Sequence, residues 1–299
     1  MPIEFDDSRV DVGGVDDRRG GIGLGGGGLA IGGGAGVVGL IIYLVMTVLG
    51  GGGTGGLPID AGAGPNSSGQ QESSEELEQR CNAEGALDQY TDCRLIKVYN
   101  IADATWSDEF ARRGLDYSSP RLAFFTQATQ TGCGSASAEV GPFYCPPDQE
   151  IFFELGFLEQ LQQQLGAQGE FAQAYIAAHE FGHHLQTLLG TERQVRAQQQ
   201  RDPDNANEYS VALELQADCY AGVWAKLADQ RSSGGIALTP DNIEEAVRAA
   251  EAVGDDRIQQ RTQGRVNPES WTHGSAEQRK EWFVRGYQTG NMDNCNTFR

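Results

Sequence analysis

Residues Gly20 to Ile59 contain no Asp, Glu, Lys or Arg, and this uncharged run divides the 299-residue chain into a short head and a long remainder. So glycine-rich a segment cannot close a core of its own, because it has few side chains to bury and loses much backbone entropy on ordering. Within it, Val37 to Leu49 (VVGLIIYLVMTVL) is almost wholly apolar. A helix that crosses a bilayer needs about 20 apolar residues, and the glycine-rich stretch from Gly23 can supply the missing turns, since glycine is tolerated in lipid. One transmembrane helix over 23–49 is therefore expected, with 1–22 as a separate N-terminal segment. Arg18 and Arg19 precede the run and the next basic residue is Arg80. The positive-inside rule then puts the N-terminus in the cytoplasm and the bulk of a single-pass membrane protein outside. Ala61-Gly62-Ala63 has the form of a signal-peptide cleavage triplet but stands too far beyond the apolar run, so an uncleaved anchor is the preferred reading.

From Gly50 to Ser74 the chain is mostly Gly, Ser, Pro and Gln and reads as a flexible tether. Residues 75–299 have the length of one domain. With 22 basic against 42 acidic residues, a net charge of −20 repels phosphate backbones and excludes nucleic acid as a natural partner. The six cysteines, Cys81, Cys93, Cys133, Cys145, Cys219 and Cys295, form no C-x-x-C pair, so disulfides rather than a structural zinc site are expected. Sequence proximity suggests Cys81 with Cys93 and Cys133 with Cys145, leaving Cys219 for Cys295, one of 15 possible pairings. Such bridges require an oxidising compartment, in agreement with a domain outside the cytoplasm.

Apolar patterning assigns a helix to Glu75–Tyr90 and strands to Arg121–Thr126 (RLAFFT) and Glu150–Leu155 (EIFFEL), with a turn-rich Gly141–Pro147 between the strands. Thereafter the period is helical. Gly169 and Gly190 bracket one helix, Asn207 to Ala228 makes another, and Pro240 to Val253 a third, with Thr239 as N-cap. Ser275 and Gln278 form a capping box ahead of a last helix through Tyr287. Strands followed by helices predict an α+β fold, helix-rich with a small sheet packed over the helix that starts at Gly169.

That helix carries His179-Glu180-Phe181-Gly182-His183, an H-E-x-x-H run. Residues four apart share a helix face, so the two imidazoles can grip one ion while Glu180, one position on, can take a proton from water without being a ligand. Catalytic zinc usually has three protein ligands and an open fourth position. Of the four histidines, His184 points away from that face, and Leu189 occupies the place where a third histidine ligand would extend the motif. A carboxylate is therefore needed. Glu214 in Glu214-Leu-Gln-Ala-Asp218 is the best placed, with Glu192 and Glu208 as competitors; Asp218, on the same face, can hold the free N–H of a ligating histidine. His273 lies far from the motif and is either an oxyanion-stabilising group or a plain loop histidine.

Several runs resemble the neutral zinc metallopeptidase family, a group of bacterial membrane-anchored proteins with a zincin-type site. They are Gly132-Cys-Gly-Ser-Ala136, Gly141-Pro-Phe-Tyr-Cys-Pro146, HEFGHHLQ from His179 to Gln186 and ELQADCYAG from Glu214 to Gly222, then Thr272-His-Gly-Ser275 and Cys295-Asn-Thr-Phe298. The resemblance covers roughly Glu75 to the end. It implies one zinc ion on His179, His183 and Glu214, with Glu180 as general base and peptides or proteins as substrates. A peptide could add to the edge of the sheet, at Glu150–Leu155. The rival expectation is a non-catalytic, zinc-stabilised envelope scaffold or interaction protein, indifferent to replacement of Glu180.

Overall fold

The computed structural model describes residues 3–20, 71–158, 169–231 and 235–298. Ser73 caps the first helix, α1 (Ser74–Cys81), through a capping box with Glu76. Gly85, at φ +72°, turns the chain into the short α2 (Ala86–Gln89) and then into α3 (Thr91–Arg113). The expected single helix over Glu75–Tyr90 is thus broken near its middle, and a longer one follows it.

Four strands form the main sheet in the order β2-β3-β7-β6, where β2 is Val15–Asp17, β3 Arg121–Phe125, β6 Phe143–Cys145 and β7 Glu150–Glu154. The first three run parallel and β6 antiparallel to β7. Alternate residues of a strand face opposite sides. Leu122, Phe124, Ile151 and Phe153 turn toward the helices, while Ala123, Phe125, Phe152 and Phe143 form a second apolar cluster with Ala136 of the hairpin β4 (Ala128–Thr131) and β5 (Gly134–Ser137). Burial of both faces explains why RLAFF and EIFFE show no polar alternation. The edge strands of this sheet are β2 and β6, and β7 lies between two neighbours, so the expectation of a free edge at 150–155 is corrected.

The helical layer comprises α4 (Glu170–Leu188), α5 (Thr191–Arg201), α6 (Ala206–Gln230), α7 (Pro240–Ala252), α8 (Asp255–Gln263) and α9 (Ala276–Thr289). Helix α4 is central, packed against α3, α6, α7 and β6, and α9 lies along α6. The α6–α9 contact is close because a Cβ on Gly222 would sit 2.0 Å from the Phe283 carbonyl oxygen, and one on Gly286 2.0 Å from that of Cys219. The three cysteine pairs read from the sequence are all present, with Cα separations of 5.0 Å for Cys81–Cys93, 5.9 Å for Cys133–Cys145 and 5.5 Å for Cys219–Cys295.

The head of the chain is where the sequence expectation fails. Residues 3–20 are not a separate segment but part of the domain: β2 is hydrogen-bonded in the main sheet, and β1 (Glu4–Phe5) pairs with β8 (Ile236–Ala237). Ile3, Val10 and Val12 are buried in the main core. The folded unit therefore does not begin near residue 75. The head escaped notice because it satisfies its polar groups through distant residues, leaving no local period to read. The transmembrane helix expected over 23–49 lies outside the described residues; among those described, no helix is long and apolar enough to cross a membrane.

Candidate metal centre

Helices α4 and α6 cross at Gly182, where a Cβ would come within 2.8 Å of the Ala217 Cα. That contact draws Glu214, one turn before Ala217, up to the two histidines flanking Gly182. The His179 Nε2 stands 3.1 Å from Glu214 Oε2, the His183 Nε2 3.2 Å from His179 Nε2, and the His183 Nε2 3.5 Å from Glu214 Oε1. Zinc bonds of about 2.0–2.1 Å at tetrahedral angles would put neighbouring ligand atoms about 3.3 Å apart. The donor triangle fits the ion. His179, His183 and Glu214 form the group among the described residues able to hold a metal, and all three are buried. The competitors fall away, since Glu192 instead pairs with Thr187 and Arg196, and Glu208 is exposed.

The outer nitrogens of both rings are held. His179 Nδ1 lies 2.9 Å from Asp218 Oδ1, and His183 Nδ1 2.9 Å from Gln186 Oε1. Such bonds present the Nε2 atoms toward a common point, because each ring can offer its lone pair there only when the other nitrogen carries the proton. Asp218 is fully buried and its charge is met by Arg279 of α9, whose Nε donates to Oδ2 at 2.7 Å and Nη2 to Oδ1 at 2.9 Å. Tyr175 also donates its hydroxyl to Asp218. Gln186 donates to the Leu213 carbonyl at 2.7 Å, tying the second histidine to α6.

Burial alone would push the metal-free His179 imidazole down, but Asp218 and then Glu214 raise it to about 10. The same opposition of burial and Glu214 leaves His183 raised. Burial disfavours the Glu214 carboxylate, yet the imidazoles of His183, His273 and His179 hold it well below the ordinary range. Glu180 differs: burial pushes its carboxyl up, the two ligand histidines only partly offset this, and its Oε2 is buried with no protein partner. A buried, unpaired carboxylate oxygen is costly unless something else binds it.

His273 lies on the loop before α9 and is 2 % exposed. Three backbone N–H groups, of Thr272, His273 and Gly274, donate to Asp255 Oδ2 at 2.7, 2.7 and 3.2 Å, and the Thr272 hydroxyl lies 2.7 Å from His273 Nδ1. The other nitrogen, Nε2, is buried without a protein partner, and the imidazole is near enough to bias Glu214. It is not one of the three clustered ligand atoms. His184, about a quarter-turn round α4 from His183, lies between the Tyr144 hydroxyl at 3.0 Å and the Ser118 carbonyl at 2.7 Å.

The sequence reading missed Arg279, Tyr175 and Gln186. Tyr175 and Gln186 lie four residues before His179 and three after His183, on the motif face, so helical spacing could have found them. Nothing in the sequence linked Arg279 to Asp218.

The family model described as "Putative neutral zinc metallopeptidase" matches residues 7–298. The chain belongs to this family. It is 46% identical over 202 residues to the Escherichia coli K12 protein YpfJ, covering 67% of this chain and 69% of that one. The Mycobacterium bovis protein Mb2605 and the Mycobacterium tuberculosis protein Rv2575 are each 46% identical over 226 residues, 73% of this chain and 74% of theirs. All three relatives are named only as uncharacterized proteins. No solved structure matches the chain. The family match begins at residue 7, well before Glu75, in keeping with the head's place in the fold.

Proposed function

We propose that the protein is a zinc-dependent endopeptidase with Glu180 as its general base, acting on peptides or proteins outside the cytoplasm. The observation that carries this reading is the Glu180 Oε2, buried and unpartnered beside three converging metal donors. A scaffold held by zinc would need the donors but gains nothing from an unsatisfied carboxylate next to them, which favours chemistry over the scaffold reading.

His179, His183 and Glu214 would hold the ion, and zinc, when bound, supplies Lewis acidity that lowers the pKa of water and polarises a carbonyl. Glu180, with a carboxyl that burial pushes toward protonation, would accept a proton from the attacking water and pass it to the leaving amine. Asp218 and Gln186 keep the ligand rings in register. His273 Nε2 is free to donate to an oxyanion, and the Thr272 and Asp255 contacts hold the ring in place for that role. Strand β6 is an edge beside α4, and its Tyr144 backbone N–H acts on Glu180. An extended peptide would therefore add along β6 rather than at 150–155.

The test is chelation and reconstitution of the full chain against an unbiased peptide mixture. The expected result is that chelated protein cleaves nothing and one equivalent of zinc restores internal cleavage. Restored zinc with no cleavage of any peptide would turn the reading toward the scaffold.

A further inference from the structure

Strand β6 has only three residues and is flanked by Pro142 and Pro146, neither of which can donate a ladder bond. Phe143 and Cys145 turn to the second apolar cluster, where Phe143 stacks on Phe152 at 4.8 Å and Cys145 is bonded to Cys133. Tyr144 alone turns to the main core, on the side of α4. So short a strand has few ladder bonds to fix its height above that helix. Yet its height decides where the Tyr144 N–H meets the Glu180 carboxyl.

The contact that fixes it runs through His184, which is 0 % exposed. Its Nε2 faces the Ser118 carbonyl and its Nδ1 the Tyr144 hydroxyl. A carbonyl oxygen only accepts, so Nε2 carries the proton and Nδ1 of the neutral ring accepts from the hydroxyl. The same ring meets Tyr144 and Tyr117 edge-on, with centroids 5.4 and 6.1 Å away. Thr187, about one turn further along α4, also hydrogen-bonds the Tyr144 hydroxyl. The far anchor is itself held to α3. Tyr117 and Ser119, on either side of Ser118, donate to Asp103 at 2.8 and 3.0 Å, and the Tyr99 hydroxyl donates to the Pro120 carbonyl at 2.7 Å.

We propose that His184 is a positioning residue, which pins the Tyr144 side chain to α4 and so sets the backbone of β6 where the Tyr144 N–H bonds Glu180. The N–H occupies one carboxyl oxygen and leaves Oε2, which has no protein partner, to take the proton from water. The catalytic meaning of this pin rests on Glu180 being the general base, whereas the pin itself is a matter of structure and can be measured without a substrate.

Residue-resolved hydrogen exchange on the full chain tests it with two variants. His184→Leu removes both polar contacts of the ring. Tyr144→Phe removes only the hydroxyl and keeps the packed ring, which guards against a His184→Leu chain that fails to fold. In either variant the amide of residue 144 should exchange about tenfold faster, while those of Ala123 and Phe124 in the central strand β3 keep their native rates. In peptide cleavage, kcat should fall by about tenfold with KM held, since a displaced base slows the reaction without weakening binding. Unchanged exchange at residue 144 in Tyr144→Phe would overturn the proposal. So would a rise shared equally by β3, because general loosening of the sheet moves both strands alike. A native protein that cleaves nothing would sink the peptidase reading, and the exchange rates would still decide whether His184 sets β6.

Discussion

Replacing Arg279 by Met removes a charge from a buried ion pair while keeping most of the side-chain volume. Arg279 and Asp218 are 4% and 0% exposed at their side chains, with a bidentate contact of 2.7 and 2.9 Å. Solvent screening is therefore negligible, and breaking such a pair by removing one partner costs about 3–5 kcal/mol. Against a domain stability of about 5–15 kcal/mol, the loss should appear as a marked fall in the urea midpoint of the metal-free protein. A separate effect is expected on the metal, since loosening an outer partner of a ligating histidine lowers affinity by about 10- to 100-fold. Asp218→Asn with Arg279→Met, which removes both charges, should cost less than the sum of the two single variants, because no buried charge is left alone. Denaturant melts and chelator competition for zinc would measure the full cycle. Additive effects, or an Arg279→Met midpoint equal to that of the native protein, would refute the view that Arg279 acts through Asp218 on His179.

The metal-free protein should bind zinc more tightly as pH rises from 6.5 toward 10. The folded His179 pKa of about 10 exceeds the unfolded value of 6.5, so the proton contributes stability below 6.5 that is lost as pH rises through 10, and zinc must displace that proton. Calorimetry in buffers of different ionisation enthalpy should detect proton release, and pH-independent binding would contradict the shift. Gly182→Ala would press its Cβ to 2.8 Å from the Ala217 Cα, so a cost of about 1–3 kcal/mol and weaker zinc binding are expected; unchanged affinity would mean that the α4–α6 contact does not set the donor triangle. A fragment beginning at residue 75 would lack β2, the partners of Lys97 and the Arg19 partner of Asp92, and should show broad, non-cooperative melting. A sharp native-like melt would show the head to be dispensable.

Where a segment's partners were local, the sequence was legible. Helices α4, α6, α7 and α9 follow from apolar period and caps, and the N-cap at Thr239 and the capping box at Ser275 fall where the residues indicated. The H-E-x-x-H run marked His179 and His183, because helix geometry fixes which residues share a face, whereas spacing alone left Glu214 in competition with Glu192 and Glu208 and only the family resemblance implied it. Helix α3 was overlooked because its buried face carries Asp92, Arg94 and Lys97, which read as solvent-facing until Asp6, Ser8 and Arg19 are brought to them. The same nonlocal pairing hid the head. Strand β7 was read correctly as a strand but wrongly as an edge, since a run such as EIFFE shows burial on both faces without showing which neighbours supply it.

The most direct test compares the full native chain with Glu180→Gln for zinc content and peptide cleavage side by side. Glutamine keeps the volume and all three donors but cannot accept the proton. One zinc per chain in both proteins, with cleavage only by the native one, is the result the account predicts. Equal cleavage by the two proteins, or no zinc in either, would contradict it.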